Sequence, residues 1–247
     1  MKDKPVSHKN QNTFKFLTFA ERISNINIDV IHQIGKISAS PDEANTFFLE
    51  AIEKWVDLNY TQDYGELQKE IGPEIRNLSQ IVFRQDEIIE ILLKYLKKED
   101  SLALDAVLEL TVALARDLQF DFYPHFPKFF SAITLHLSTK DTELLEKLFT
   151  CLAYLFKFLW RYMVKDMKNV YRLFSSLLRE SNREHIRIFA VESFAFLIRK
   201  VQDKEDLFSF IFKELQLKPE HSIGVGQLFF EVVKGVKEQF HSCTENV

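Results

Sequence analysis

The sequence predicts an all-α protein, and three observations support that prediction. The 247 residues include six glycines and six prolines, so the turn-forming residues that strand-rich folds need are scarce. Apolar residues recur at intervals of three and four positions, which is the period of a helix with one buried face. Similar segments also recur along the second half of the chain. Together these features predict helices joined by short polar links.

The repeat begins at Ser101 and joins helices in pairs. Phe-Ser dipeptides start at Phe130, Phe174 and Phe208, separated by 44 and 34 residues. Arginines recur in the same register, 45 and 38 residues apart, at Arg116, Arg161 and Arg199. A degenerate period of about 40 residues is typical of HEAT-like repeats, whose stacked pairs bury one continuous core. We therefore predict a HEAT-like α-α superhelix, or solenoid.

Capping boxes indicate where some helices begin, because a Ser or Thr oxygen and a Glu three residues later satisfy each other's free amides. Three pairs have this spacing: Thr18 with Glu21, Ser40 with Glu43, and Ser181 with Glu184. The first is expected to open a helix reaching residue 34.

The chain is predicted to have three regions. Residues 1–15 form a mobile basic arm, residues 16–100 form irregular N-terminal helices, and residues 101–247 form about three and a half HEAT-like helix pairs. A loose joint is expected between Thr61 and Asn77, around three glycine and proline residues. The last helix, residues 220–240, lacks a partner helix, which favours a fragment cut from a longer array over a true cap.

No motif for catalysis, metal binding or a cofactor emerges from the sequence. The seven histidines lack metal-ligand spacing, and Gly224 and Gly226 follow no strand, so they indicate a bend and not a nucleotide site. Cys151 and Cys243 do not form a disulfide framework and suit a reducing compartment. The most apolar run is too short to span a membrane. We predict a protein that is not an enzyme, with no membrane and no small-molecule substrate.

One segment differs from the rest in charge. The whole chain carries −4, but residues 157–204 hold eleven basic and five acidic residues, a net +6. Contact with RNA phosphates is the functional interpretation, and a solvated helix face is the alternative. The RNA-binding candidates are Lys157, Arg161, Lys165, Lys168, Arg172, Arg183 and Arg187.

The 24 phenylalanines raise two further possibilities. Those in the repeats occupy apolar stripes, which predicts core packing and not base stacking. Phe14, Phe16 and Phe19 precede the repeats and form either a hydrophobic staple onto the first helix or a peptide that docks on a partner.

Short runs along most of the chain resemble one family, the very large small-subunit processome component twenty, also called down-regulated in metastasis. The runs are KPVSH at 4–8, FLTFAER at 16–22, ARDLQ at 115–119, DFYPHFP at 121–127, MVKDM at 163–167, HIR at 185–187, GVGQL at 224–228 and FHSCT at 240–244.

The resemblance implies a nucleolar scaffold that supports pre-rRNA processing toward 18S rRNA. It implies partners among processome proteins and small nucleolar RNA or pre-rRNA, together with a continuation of the chain beyond residue 247. The resemblance implies no active-site residues in this chain. Two alternatives remain open: a HEAT-repeat adaptor or transport-type protein that binds only proteins, and an enzyme too irregular to recognise.

Overall fold

The computed structural model describes residues 14–24, 46–72, 75–179 and 181–243, the last nine of these by their backbone alone. No strand occurs in these ranges. Their α-helices are α1 (Phe19–Ser24), α2 (Phe47–Leu58), α3 (Gln62–Ile71), α4 (Leu78–Phe83), α5 (Gln85–Leu96), α6 (Leu104–Leu118), α7 (Phe126–Leu135), α8 (Thr142–Met163), α9 (Met167–Phe174), α10 (Glu184–Ile198), α11 (Lys204–Leu217) and α12 (Ser222–Cys243).

The helices form two layers, as the predicted solenoid requires. In the first layer α2, α6, α8, α10 and α12 each pack against the next. In the second layer α5 packs on α7, and α9 packs on α11. The two layers meet through α5 with α6, α7 with α8, and α9 with α10. This alternation confirms the all-α, HEAT-like architecture, and the predicted pairs correspond to α6 with α7, α8 with α9, and α10 with α11.

Phenylalanine rings fill the space between the layers. The ring centroid of Phe174 on α9 lies 4.7 Å from that of Phe130 on α7 and 4.8 Å from that of Phe156 on α8. It also stacks at 6.1 Å on Phe194 of α10. These rings, like that of Phe126, are at most 1% exposed. Core packing, the prediction for the phenylalanines of the apolar stripes, is confirmed for these rings, whereas Phe120, Phe212 and Phe230 are exposed.

Of the three predicted capping boxes, the structure confirms one. The Thr18 hydroxyl accepts the Glu21 amide at 3.2 Å, and the Glu21 carboxylate accepts the Thr18 amide at 2.7 Å. The pair at Ser40 and Glu43 lies outside the described residues, as does the end of the first predicted helix. The box at Ser181 is wrong, because α10 begins at Glu184 after Arg183, with no side-chain cap.

The predicted loose joint is mostly helical. Residues 62–71 form α3, in which the Tyr64 amide donates to the hydroxyl of Thr61, and the helix is followed by Gly72 with a positive φ of 88°. A left-handed residue after a helix favours glycine, so the break falls there. The three-region division of the chain remains a prediction, and its arm at 1–15 lies almost wholly outside the described residues.

The bend predicted at Gly224 and Gly226 is also wrong, because both residues lie inside α12. At Gly224 the absence of a side chain allows close packing instead. A Cβ on Gly224 would lie 2.3 Å from the carbonyl oxygen of Leu178, in the turn that precedes α10, whereas one on Gly226 would meet nothing within 4 Å. Gly224 therefore lets α12 approach the backbone of the preceding repeat. On its other side α12 exposes Phe230 and Val233, and a further helix over them remains a prediction.

These two glycines form a matched pair for mutation. Gly224→Ala is expected to destabilise the fold by about 2 kcal/mol or more, because rigid backbone opposes the new methyl group. Gly226→Ala should instead stabilise it by about 0.5 to 1 kcal/mol through helix propensity. Urea unfolding of both variants measures the difference. Equal stabilities would contradict the close approach at Gly224.

A carboxylate at the end of α6 holds the start of α2. Asp117 accepts the amides of Phe47 at 3.2 Å and Phe48 at 2.8 Å, and so satisfies two free donors of that helix. The side chain is buried, and burial raises the pKa of Asp117 to about 6, although the two amides favour its charged form. Desolvation therefore outweighs the hydrogen bonds.

This raised pKa predicts a pH dependence of stability. Between about pH 4 and 6 the folded state keeps the Asp117 proton while the unfolded state releases it, so the Asp117 contribution to the unfolding free energy falls as pH rises. Asp117→Asn cannot titrate. The unfolding free energy of the wild type minus that of the variant should therefore fall by up to about 3 kcal/mol across this window. A constant difference would show that burial does not raise this pKa.

Candidate nucleic-acid interface

The structure separates the seven basic candidates into three groups at different places. Helix α2 runs antiparallel to α6, because its start lies against Asp117 at the end of α6. Helices α6, α8 and α10 run parallel, since Lys147 of α8 pairs with Asp105 at the start of α6, and Phe149 of α8 stacks at 4.6 Å on Phe189 of α10. The solenoid thus has one edge where these helices begin and another where they end. The basic residues between positions 157 and 204 therefore do not form a single continuous surface.

Two candidates, Lys168 and Arg172 on α9, are engaged in ion pairs with α11. The Lys168 ammonium lies 2.7 Å from an Asp206 oxygen, and the Arg172 guanidinium lies 3.2 Å from Glu214. Both cations also lie over the Phe210 ring, at 5.8 and 5.0 Å. Their carboxylate neighbours offset the charge that a phosphate would meet.

Two others, Arg183 and Arg187, lie at the edge where α10 begins. The Arg183 guanidinium donates to the carbonyl of Leu137, and that of Arg187 donates to the carbonyl of Asn182. These bonds fix the turn before α10. These hydrogen bonds give Arg183 and Arg187 a structural role.

The remaining three lie at the opposite edge, where α8 ends. Lys157 and Arg161 occupy the last two turns of α8, and Lys165 is exposed in the turn that follows. No carboxylate among the described residues forms an ion pair with any of them. Cations here also complement the negative end of the helix dipole, which is the structural alternative to ligand binding.

A cavity of about 550 Å³ opens beside these residues. We call it the helix-end cleft, and its walls are formed by the ends of α6, α8 and α10 together with Leu78 and Val82 of α4. The residues that define it are Phe120, Lys157, Trp160, Arg161, Tyr162 and Lys200.

Charge and aromatic rings meet in the helix-end cleft. The Lys200 ammonium lies 4.5 Å from the Trp160 ring and 4.7 Å from that of Phe196. The Arg161 guanidinium lies 5.5 Å from the Trp160 ring. Burial lowers the pKa of Lys200, and the nearby cations Lys157 and Arg199 lower it further. The local field is therefore positive.

Sequence reasoning missed Phe120, Trp160 and Lys200 as members of this site. The recurring arginines indicated this edge but not the members of the cleft: Arg116 and Arg161 lie in the last turns of α6 and α8, and Arg199 caps α10, yet only Arg161 lines the cleft. Equivalent positions in successive repeats lie along one edge of a solenoid.

A second cavity, of about 770 Å³, lies on the first layer between α2, α6 and α8. Its charged rim is largely paired internally: Lys54 with Glu109 at 2.6 Å, and Lys147 with Asp105 at 2.6 Å. The floor includes apolar residues such as Leu108. The cavity lacks the excess of cations that the helix-end cleft has.

The three N-terminal aromatic candidates lie in a segment, residues 14–24, that crosses α8 and α10. Phe19 is 2% exposed and meets the rings of Phe156, Phe189 and Phe196. Phe16 stacks on His185 at 4.6 Å, while Phe14 is 52% exposed. In this conformation Phe19 and Phe16 contact their own chain, so only Phe14 offers a largely exposed ring to a partner.

Polar contacts fix this segment in register. The buried Arg22 guanidinium lies 2.6 Å from Glu146 and donates to the Thr150 hydroxyl at 2.8 Å. The amide of Phe19 donates to Glu192 at 2.7 Å. Burial raises the pKa of Glu192, and that amide opposes the shift.

The described residues hold no group of three or more potential metal ligands, and none of their helices is long and apolar enough to cross a bilayer. The thiol of Cys151 is buried and donates to the Leu108 carbonyl. Burial raises its pKa, which disfavours the nucleophilic thiolate.

The stacked pairs define a helical-repeat protein of HEAT-like architecture. No protein-family model matches the chain. It is 28% identical over 244 residues to U3 small nucleolar RNA-associated protein 20 of Schizosaccharomyces pombe, and 25% identical over 243 residues to the Saccharomyces cerevisiae protein of that name. These alignments cover 96% and 95% of the chain but 10% of each relative, so it spans about a tenth of their length. They confirm the resemblance to the processome component twenty family.

The contrast between Phe19 and Phe14 gives a stability test. Phe19→Ala should destabilise the fold by about 3 to 5 kcal/mol, because it empties a site among three rings. Phe14→Ala should change stability by less than about 0.5 kcal/mol, because the ring is half exposed. Thermal and urea unfolding measure both. An unchanged stability of Phe19→Ala would show that the segment does not dock as described.

Proposed function

We propose that this chain is a non-enzymatic scaffold part of a small-subunit processome component. It supports pre-rRNA processing toward 18S rRNA and assembly of the small ribosomal subunit, by binding processome proteins and small nucleolar RNA or pre-rRNA in the nucleolus. The observation that carries the proposal is the similarity, over nearly the whole chain, to proteins named as U3 small nucleolar RNA-associated.

The architecture suits binding more than catalysis. Stacked pairs give a long surface relative to their core, and each repeat adds further surface for a partner. At the edge where α8 ends, Lys157, Arg161 and Lys165 lie without carboxylate partners among the described residues. Point charges in this arrangement attract phosphates without demanding a sequence. A role for this edge in RNA contact therefore forms part of the proposal.

The competing function is that of a HEAT-repeat adaptor that binds only proteins. The first-layer cavity favours it, because Trp55 and Phe158 line that cavity beside charged groups that are already paired. An adaptor of this kind would not depend on the cations at the end of α8.

The test compares two triple variants of the tagged protein in cells. Lys157→Glu, Arg161→Glu and Lys165→Glu together should reduce crosslinked pre-rRNA and co-purified U3 small nucleolar RNA about tenfold or more, because repulsion replaces attraction at three phosphate contacts. Accumulation of 18S rRNA relative to the large-subunit rRNA should fall with it. Crosslinking followed by RNA sequencing measures the first effect.

The matched control changes the same charge elsewhere: Lys128→Glu, Lys140→Glu and Lys213→Glu, all exposed positions. It should associate as the wild type does. Equal loss in both variants would point to net charge and not to the edge. A wild-type protein that purifies without processome proteins or pre-rRNA would refute the scaffold proposal itself.

A further inference from the structure

The helix-end cleft combines two features that bind different parts of a nucleotide. The cations Lys157, Arg161 and Lys200 line it, and so do the rings of Phe120, Trp160 and Tyr162. Exposed rings beside cations along a groove are the arrangement with which proteins hold single-stranded nucleic acid. In the core between the two layers, by contrast, the rings of the repeats are buried.

The two acidic groups that line the cleft form no ion pair with its cations. Asp117 lines the wall, but its carboxylate oxygens accept the amides of α2. Asp121 is exposed at the rim and forms no ion pair with a described residue. The groups that act on the Lys200 ammonium are themselves cations, Lys157 and Arg199. The cleft thus has one cation more than it has carboxylates, and none of its three cations is engaged in an ion pair with a described residue.

Phe120 is the ring most available to a ligand. It is 65% exposed, although an exposed phenylalanine has an unfavourable contact with water. The preceding residue, Gln119, has a positive φ of 49°, which is uncommon for a side-chain-bearing residue. That turn ends α6 and projects Phe120 at the cleft, edge-on to Tyr162 with centroids 5.7 Å apart. One face of its ring is therefore open for stacking.

We propose that the helix-end cleft binds a single-stranded segment of RNA, with a base stacked on Phe120 and the flanking phosphates on Lys157, Arg161 and Lys200. This inference rests on the proposed RNA contact and names its ligand. A duplex presents phosphates but no free base faces, so it would use the cations alone. An acidic peptide would do the same. Stacking on Phe120 thus distinguishes single-stranded RNA from both.

Binding by the purified chain tests the proposal with a fluorescent oligouridine of about 12 nucleotides. A duplex of the same length and a Glu-rich peptide serve as competitors. The oligouridine should bind more tightly than either. Phe120→Ala should weaken it about five- to a hundredfold, as loss of one stacked base does. Phe120→Leu, which keeps the apolar contact with Tyr162, should weaken it as well.

Charge variants test the phosphate contacts independently. In a plot of log affinity against log salt, Lys157→Gln with Arg161→Gln should make the slope shallower by about 1.4, from two lost contacts. Phe120→Ala should leave that slope unchanged, because stacking releases no counterions. The controls are Phe83→Ala, which removes a ring that is 89% exposed outside the cleft, and Lys97→Gln with Lys128→Gln. Both should bind as the wild type does.

Several results would overturn the proposal: equal affinity for duplex and single strand, equal competition by the peptide, or no loss in either Phe120 variant. These outcomes are separable from failure of the proposed function. A protein that associates with the pre-ribosome in cells but shows no single-strand preference would reject the cleft alone. A protein that binds oligouridine as described but never associates with the pre-ribosome would reject the scaffold role.

Discussion

The contacts of the Phe174 ring set the spacing of the repeats. This one side chain meets Phe130 of the preceding pair, Phe156 across the layers and Phe194 of the next pair. Protein interiors are close-packed, so a ring shared by four helices allows little freedom in how neighbouring pairs stack. The contacts therefore fix α8 and α10 relative to each other. The ends of these two helices form part of the walls of the helix-end cleft, so the core contact of Phe174 helps to hold the cleft in shape.

Features that depend on local sequence could be predicted, and features that depend on tertiary contacts could not. The helix pairs follow from apolar spacing, which directly reflects burial, and the cap at Thr18 needs only residues three positions apart. The cap at Ser181 failed because the turn before α10 is held from elsewhere, through Asn182 to the carbonyl of Ser176 and Arg183 to that of Leu137. Gly224 was misread as a bend because a glycine that permits close approach looks the same in sequence, and Leu178 is needed to tell them apart.

The candidate site shows the same division. Counting charges along residues 157–204 found the excess of cations but treated them as one surface. Folding places Lys168 against Asp206, and it buries Lys200 beside Lys157, so that burial and the neighbouring cation lower the pKa of Lys200. Neither contact can be predicted from the spacing of these residues in the sequence. The recurrence of Arg116, Arg161 and Arg199 was the more informative pattern, because positions equivalent in successive repeats share an edge even when their neighbours in sequence do not.

The segment that carries Phe16, Phe19 and Arg22 has a consequence for the order in which the chain matures. Its hydrogen bonds reach partners 129 residues away at Glu146 and 173 residues away at Glu192. Helix pairs can form from contacts close in sequence, whereas this segment can dock only after α8 and α10 exist. On a translating ribosome it emerges before α8 and α10 and docks only after them. Until Glu192 has been synthesised, the aromatic side chains of this segment cannot be buried, and their docking requires that the surface formed by α8 and α10 is complete.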